Sequence, residues 1–223
     1  MSSIPGIEIA DSSVRATRVD LAELIDRRPM TAIQIWVAVL CAAALFVDGY
    51  DIQVMALAVP SLAQAWSLAP SSFGFALSAV VIGITAGSGI LGPLGDRYGR
   101  RMMLILMMTL VGLLTCGTAL ATSPTQFVAW RLATGLALGA SIPSCAALTS
   151  EYAPVASRSF VMGLMNVASP LGAFSAGFLA PVVLETFGWR ATFVIGGVAP
   201  LIIAALATLV PESLKFLLVR RPG

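Results

Sequence analysis

Six long apolar stretches constrain the fold of this chain more than any other feature of its sequence. They lie near residues 33–58, 73–94, 102–121, 125–148, 159–183 and 189–210. A helix that crosses a bilayer needs about 20 apolar residues, and each stretch has about that length. Within lipid only helices and closed barrels satisfy their own backbone hydrogen bonds, and these runs are too long and too uniformly apolar for barrel strands. The sequence therefore predicts an all-α membrane protein with six transmembrane helices.

Proline, glycine and charged residues between the stretches predict where the helices end. Pro60 is expected to close the first helix, and Pro93 with its charged neighbours the second. The polar segment 151–158 is expected to separate the fourth and fifth helices, and Gly188 precedes the sixth. The predicted organisation is a polar N-terminal segment at 1–32 without signal-peptide features, a six-helix bundle at 33–210 and a tail at 211–223.

The basic residues predict the orientation of this bundle. If the N-terminus is cytoplasmic, the cytoplasmic segments hold eleven of the 13 Lys and Arg residues. Of the other two, Arg190 lies on the outer side and Arg131 falls within a span. Cytoplasmic loops carry an excess of Lys and Arg, so both termini are expected to be cytoplasmic. The eleven are Arg15, Arg18, Arg27, Arg28, Arg97, Arg100, Arg101, Arg158, Lys215, Arg220 and Arg221.

The composition argues against several classes of function. Only 11% of the residues are charged, whereas a soluble domain has about 25%. The net charge of +2 is too small to indicate a nucleic-acid partner. The chain has no histidine, and its three cysteines lie inside apolar runs at Cys41, Cys116 and Cys145, which suits core packing better than a metal site or a disulfide. We expect no cofactor, no metal and no enzymatic activity.

Three ionisable residues fall within the predicted spans, where a charge costs about 2.5–3.5 kcal/mol on insertion scales. Asp48 and Asp51 are three residues apart and share one side of the first helix. Arg131 in the fourth helix is expected at a similar depth, close enough to meet Asp51 or a ligand between them. Two interpretations remain open: a buried structural ion pair, or a site for substrate and protons in which a carboxylate carries the proton.

Several uncharged residues within the spans also allow two interpretations. Tyr50, next to the aspartates, could stack on an aromatic ligand or serve in packing, and the polar side chain of Asn166 could simply make a packing hydrogen bond. Two pairs of glycines four residues apart allow close approach of helices, and ordinary helix packing explains them better than dimerisation. These pairs are Gly83 with Gly87 and Gly135 with Gly139.

The loop between the second and third spans reads Gly92-Pro93-Leu94-Gly95-Asp96-Arg97-Tyr98-Gly99-Arg100-Arg101. It resembles the G-x-L-x-D-R-x-G-R-R/K loop of the major facilitator superfamily. Two further segments resemble elements of the same superfamily: Arg131 followed four residues later by Gly135 in the fourth span, and Pro211-Glu212-Ser213 with Lys215 after the sixth.

The first span contains Asp48-Gly49-Tyr50-Asp51, followed by Ala58-Val59-Pro60-Ser61-Leu62 and Trp66. Within the superfamily, this pattern shows a resemblance to the aromatic acid:proton symporters. It implies proton-coupled symport of an aromatic or related organic acid across the inner membrane. It also implies that Asp48 and Asp51 act in proton coupling or substrate binding and that Arg131 faces a central cavity. The loop residues Gly92, Asp96, Arg97, Gly99, Arg100 and Arg101 would form a cytoplasmic gate.

The chain departs from the superfamily in its length. A complete transporter of this kind has twelve helices in two similar halves, and this sequence contains six spans. It resembles an N-terminal half, whose partners would be the lipid bilayer, protons, a small organic acid and the missing C-terminal half. The alternatives are a truncated membrane fragment that does not transport, and a porter of another substrate class such as sugars or metabolites.

Overall fold

The computed structural model of the chain describes residues 30–210, and all regular structure in that part is helical. A 3-10 turn at Pro70–Phe73 leads directly into the second helix. The helices are α1 Ala32–Trp66, α2 Gly74–Ile90, α3 Leu94–Tyr98, α4 Arg100–Thr118, α5 Pro124–Tyr152 and α6 Val155–Ala207. The polar N-terminal segment up to residue 29 and the tail from 211 onward, with its Pro211-Glu212-Ser213 element, lie outside the described residues.

Proline ends these helices less often than the sequence predicts. The expectation that Pro60 closes the first span is wrong, because α1 continues through it to Trp66 and ends where Ser67 adopts a left-handed conformation with φ 51°. Pro143 likewise lies inside α5. Proline removes one backbone donor but has a φ that suits a helix, and neighbouring helices in a membrane bundle compensate for the loss.

The segment between the fourth and fifth spans is also shorter than expected. The predicted break at 151–158 contains only a bend at Ala153 and Pro154, because α5 extends to Tyr152 and α6 begins at Val155. The last helix then runs for 53 residues, but Gly188 within it has a non-helical conformation with φ 77° and ψ 174°. Such a conformation suits glycine because it has no Cβ. Gly188 therefore divides α6 into a first segment, 155–187, and a second segment, 189–207.

The surface of the bundle is that of an integral membrane protein. Five helices in the described part are long and apolar enough to cross a bilayer, α2 being counted together with its preceding turn. Large apolar side chains point outward along the whole bundle, among them Phe75, Phe160 and Phe174. In water such a surface would be unfavourable, whereas lipid tails solvate it.

Close backbone contacts join the helices in pairs. A Cβ atom on Gly83 would lie 2.9 Å from the Cα of Gly135, so α2 and α5 touch through their glycines as the four-residue spacing predicts. In the same way, a Cβ on Gly172 in the first segment of α6 would collide with the backbone carbonyl of Phe46 in α1. A third contact joins Gly112 of α4 to the second segment of α6.

Two apolar clusters fill the ends of the bundle and leave a polar layer between them. One surrounds the start of α1 and of α4, with Leu40, Met108 and Leu148 fully or almost fully buried. The other lies at the opposite end and is rich in aromatic rings, among them Phe127 and Phe193. Cys41, Cys116 and Cys145 are all free, and the first and last are buried in apolar surroundings, as expected for packing residues.

Candidate functional site

The polar layer is built around an ion pair between α1 and α5. Arg131 is 0% exposed and Asp51 is 4% exposed. Nη1 of Arg131 donates to both carboxylate oxygens of Asp51, at 2.9 Å to Oδ2 and 3.2 Å to Oδ1. The two charges therefore meet directly, with no gap for a ligand between them. A buried pair of this kind compensates the large cost of removing each charge from water.

Helix α4 and the second segment of α6 complete the surroundings of this pair. Thr118 accepts a hydrogen bond of 2.8 Å from Nη2 of Arg131, and the hydroxyl of Thr115 donates to Oδ1 of Asp51 at 3.3 Å. The guanidinium carbon lies 4.9 Å from the ring centroid of Phe193, within the range of a cation–π contact. Nε of Arg131 has no hydrogen-bond partner among the described residues. Four helices thus converge on one arginine.

Asp48 lies one helical turn before Asp51 and has a different environment. It is 3% exposed, and the hydroxyl of Ser141 in α5 lies 3.2 Å from its Oδ2. The same hydroxyl lies 2.9 Å from the carbonyl oxygen of Leu138, so its single proton is shared between two acceptors. In the described part of the chain, Oδ1 of Asp48 has no hydrogen-bond partner. A buried carboxylate without a counter-ion is costly unless a proton or a donor from a ligand stabilises it.

A cavity of about 210 Å³ opens beside Asp48. Its walls come from α1, α2, α5 and the first segment of α6, and most of its lining side chains are apolar. Asp48 is the one charged residue among the described residues that line it, and Asn166 and Ser169 are the other polar ones. The apolar walls are formed by Leu45, Ile52, Ile84, Leu138, Ile142, Ala146, Met162 and Met165.

The structure separates the residues that the sequence groups together. Asp48 and Asn166 line the cavity, whereas Arg131 and Asp51 are packed behind it and are absent from its lining. Tyr50 points elsewhere, towards the aromatic cluster, where its ring would be 3.7 Å from a Cβ on Gly196. A contact of Tyr50 with a ligand stays a prediction, and the position of its ring favours packing.

The loop between α2 and α4 and the end of α5 form a second polar cluster, separated from the polar layer by the first apolar cluster. Nε of Arg100 lies 2.9 Å from Oε1 of Glu151, in an ion pair whose side chains are 28% and 16% exposed. Arg101 reaches the end of α6, with Nη2 donating to the carbonyl oxygen of Thr208 at 2.5 Å. Because the last carbonyls of a helix lack partners within it, a basic side chain there stabilises the helix end.

The backbone of the same loop depends on glycine. Gly99 has φ 100°, a conformation that L side chains rarely adopt, and it makes the sharp turn between α3 and α4. Gly92 approaches the backbone of Ser88 too closely to accept a Cβ. Arg97 is exposed, and its guanidinium carbon lies 5.8 Å from the ring centroid of Tyr98. The side chain of Asp96 lies outside the described part of the structure.

Sequence reasoning missed several partners of these charged residues. Glu151 was assigned to the break after the fourth span, yet it pairs with Arg100. The topology contained a signal for this pair, since both residues flank spans on the same predicted side and have opposite charges. No comparable signal identifies Ser141, Thr115 or Thr118, because threonine and serine are common in membrane helices and hydrogen-bond to their own backbone.

Solved structures share this arrangement of helices. The structure superposes on a D-xylose-proton symporter with a TM-score of 0.71 at 21% identity, covering 82% of this chain and 50% of that one. The inward-open xylose transporter XylE from E. coli gives a TM-score of 0.70 at 23% identity, covering 83% of this chain and 49% of that one. At this level of identity, the likeness concerns the fold.

Relatives in sequence are more similar and carry transporter names. The chain is 36% identical over 204 residues to the gallate transporter of Pseudomonas putida, covering 91% of this chain and 45% of the relative. It is 34% identical over 222 residues to the 4-hydroxybenzoate transporter PcaK of Pseudomonas aeruginosa, covering 99% of this chain and 48% of the relative. The chain thus spans about half the length of these relatives.

The family model of the Major Facilitator Superfamily matches residues 40–218. That range includes α1 from Leu40 onward, both ion pairs and the glycine-dependent loop. On this match and on the relatives in sequence, the chain belongs to the Major Facilitator Superfamily.

Proposed function

We propose that this chain is the N-terminal half of a proton-coupled carrier that takes up an aromatic acid across the inner membrane. The observation that carries the proposal is the similarity to gallate and 4-hydroxybenzoate transporters over 91% and 99% of the chain. The name of a benzoate transport protein from Acinetobacter baylyi, 28% identical over 204 residues, agrees with the same substrate class. A single-ring acid also suits the size of the cavity beside Asp48.

In this proposal the chain contributes six transmembrane helices, and a second half completes the carrier. Gly188 supplies the division of α6 into two spans, so that α1, α2, α4, α5 and the two segments of α6 cross the membrane. The cavity has exposed residues at its rim, among them Ile52 and Asn166, and the second half would close this side. Transporters of this family rock one half against the other around such a central site. The basic-residue bias supports a cytoplasmic position for both termini.

The proton would enter at the carboxylates of α1. When Asp51 is ionised, it holds Nη1 of Arg131 through both of its oxygens. A proton bound to Asp51 would neutralise the carboxylate and weaken this pair, which frees the guanidinium for another anion. A substrate carboxylate is such an anion, since arginine binds carboxylates with two parallel hydrogen bonds. Asp48, which has no counter-ion among the described residues, would be the second proton acceptor.

The cluster at the other end of the bundle would act as the cytoplasmic gate. The Arg100–Glu151 pair joins α4 to α5, and Arg101 joins the start of α4 to the end of α6. Together they hold the ends of three helices in one arrangement. The partly exposed Arg100–Glu151 pair is weaker than the buried Arg131–Asp51 pair, because water screens its charges. Its release would let the cytoplasmic ends separate, and the exposed Arg97 of the same loop would be available to the second half.

The test is uptake by the carrier that joins this chain to its second half, purified and placed in proteoliposomes. We expect saturable uptake of labelled 4-hydroxybenzoate that depends on an imposed proton gradient and is absent for xylose. Asp51→Asn keeps the shape of the side chain but binds no proton, and it should abolish gradient-driven uptake. Uptake of xylose instead would favour a sugar porter, and uptake that remains gradient-dependent in both Asp48→Asn and Asp51→Asn would contradict the assignment of the proton site.

A further inference from the structure

The cavity beside Asp48 has a charge pattern that is unusual for a site that binds an acid. The one charged group among its described lining residues is a carboxylate, and the nearest arginine of the polar layer, Arg131, is fully buried outside it. A substrate carboxylate placed in this cavity would face a like charge, which is unfavourable in a medium of low dielectric constant. The end of the substrate that enters this cavity must therefore be the end that lacks the carboxylate.

The walls of the cavity indicate what that end is. An apolar protein cavity of about 150 Å³ accommodates benzene, and this cavity measures about 210 Å³. One six-membered ring fits, with space for a small substituent. The thioether groups of Met162 and Met165 lie in the wall and provide favourable contacts for an aromatic ring. The branched side chains of Leu138 and Ile142 line the α5 side of the cavity.

The polar atom at this site has an unfilled hydrogen-bonding capacity. Oδ1 of Asp48 is buried and has no donor among the described residues, while Oδ2 receives only a shared proton from Ser141. A buried acceptor without a donor is costly, and a ligand that supplies the donor removes that cost. A hydroxyl group on the ring could supply this donor, because the cavity has space for one aromatic ring with a small substituent.

We propose that this cavity binds the hydroxyl-bearing end of a single-ring aromatic acid, whose ring hydroxyl donates a hydrogen bond to the carboxylate of Asp48 while the carboxylate of the acid points out of the cavity. Asp48 is then the residue that selects hydroxylated aromatic acids over unsubstituted ones. This inference rests on the proposed function, because it assumes that the substrate is an aromatic acid.

The size of the effect follows from the hydrogen bond. A hydrogen bond to a charged group corresponds to roughly 10- to 150-fold in affinity, and a site with a buried polar group rejects a ligand that leaves the group unpaired. We expect the complete carrier to bind 4-hydroxybenzoate at least about tenfold more tightly than benzoate. Binding is measured on the purified carrier at equilibrium without a proton gradient, so that transport is not required.

Two variants of Asp48 test the assignment. Asp48→Leu removes the acceptor and should abolish the preference for 4-hydroxybenzoate while benzoate still binds. Asp48→Asn keeps a neutral acceptor of the same shape and should leave an intermediate preference, which keeps the test informative if the leucine variant fails to fold. Glu185→Gln is the control, because this carboxylate is exposed on α6 and does not line the cavity, so the preference should persist.

The possible outcomes separate this inference from the proposed function. Equal affinity of the unmodified carrier for the two acids, or a preference that survives in both Asp48 variants, would overturn the inference and leave aromatic acid transport intact. If neither acid binds the unmodified carrier, the proposed substrate class is wrong and the inference falls with it. A preference that decreases from aspartate to asparagine to leucine, and remains in the Glu185→Gln control, supports it.

Discussion

The contribution of the buried Arg131–Asp51 pair to the free energy of unfolding can be calculated from the structure. At a separation of 2.9 Å and an effective dielectric constant of about 20, two unit charges attract each other by about 6 kcal/mol. Desolvation of both groups offsets part of this energy. Removing one partner is different, since it leaves the other charge buried and unpaired at a cost of about 3–5 kcal/mol. We therefore expect Arg131→Met and Asp51→Asn each to destabilise the protein by this amount.

The double variant measures the interaction itself. Because Arg131→Met with Asp51→Asn leaves no unpaired charge, it should be less destabilised than the sum of the single variants, with a coupling energy of about 3 kcal/mol. The free energy of unfolding is obtained from denaturant titrations of the protein in detergent micelles. The Arg100–Glu151 pair is the matched control within the same chain. Its side chains are partly exposed, so we expect a coupling energy of about 1 kcal/mol or less.

The test compares two double-mutant cycles, one for the Arg131–Asp51 pair and one for the Arg100–Glu151 pair. The reasoning would be refuted if the buried pair showed no greater coupling than the Arg100–Glu151 pair, or if the single variants at Arg131 and Asp51 were as stable as the unmodified protein. Either result would mean that water or another group compensates the charges of the polar layer.

Three further predictions concern packing, topology and assembly. Gly135→Ala adds a Cβ that would lie 3.0 Å from the Cα of Gly83, so it should lower the free energy of unfolding by about 1–3 kcal/mol. Gly177→Ala is the control, because open space surrounds that glycine, and it should be neutral or stabilising. Equal changes in the free energy of unfolding for the two variants would contradict the contact between α2 and α5. Cysteines introduced at Ser71 and Tyr98 should react with an impermeant maleimide from opposite sides of the membrane, and labelling of Tyr98→Cys from outside would reverse the topology. The 223-residue chain alone should show no gradient-driven uptake of 4-hydroxybenzoate in proteoliposomes, because the proposed second half would supply one wall of the cavity, and saturable uptake would show that two copies can form a carrier.

The local features of this protein are contained in its sequence. The apolar stretches identify helices because hydropathy and helix length are properties of consecutive residues. The buried charges also stand out, since Asp48, Asp51 and Arg131 each interrupt an apolar run. The glycines four residues apart also predicted close helix approach, because they create a flat face that a neighbouring helix can contact, whereas the structure shows that α2 and α5 are the helices that meet there.

The helix ends show where local reasoning fails. Proline ends a helix more readily in water than in a membrane bundle, where the lost hydrogen bond is tolerated, and α1 continues through Pro60. Gly188 is different, because the sequence predicts it as the break before the last span and its non-helical conformation confirms that prediction. The outcome at Pro60 depends on what lies beside the residue in space, which the linear sequence does not state.

Only the tertiary structure decides the different surroundings of Asp48 and Asp51. Residues three apart on a helix share a side but differ by about 60° in direction. That angle is enough to place Asp51 against Arg131 and to leave Asp48 at the cavity with one oxygen unpaired. The sequence determined that these charges are buried together, because lipid excludes them. The rotation of α1 against α6, where their backbones pack closely at Gly49 and Gly172, determined which carboxylate meets the arginine and which meets the cavity.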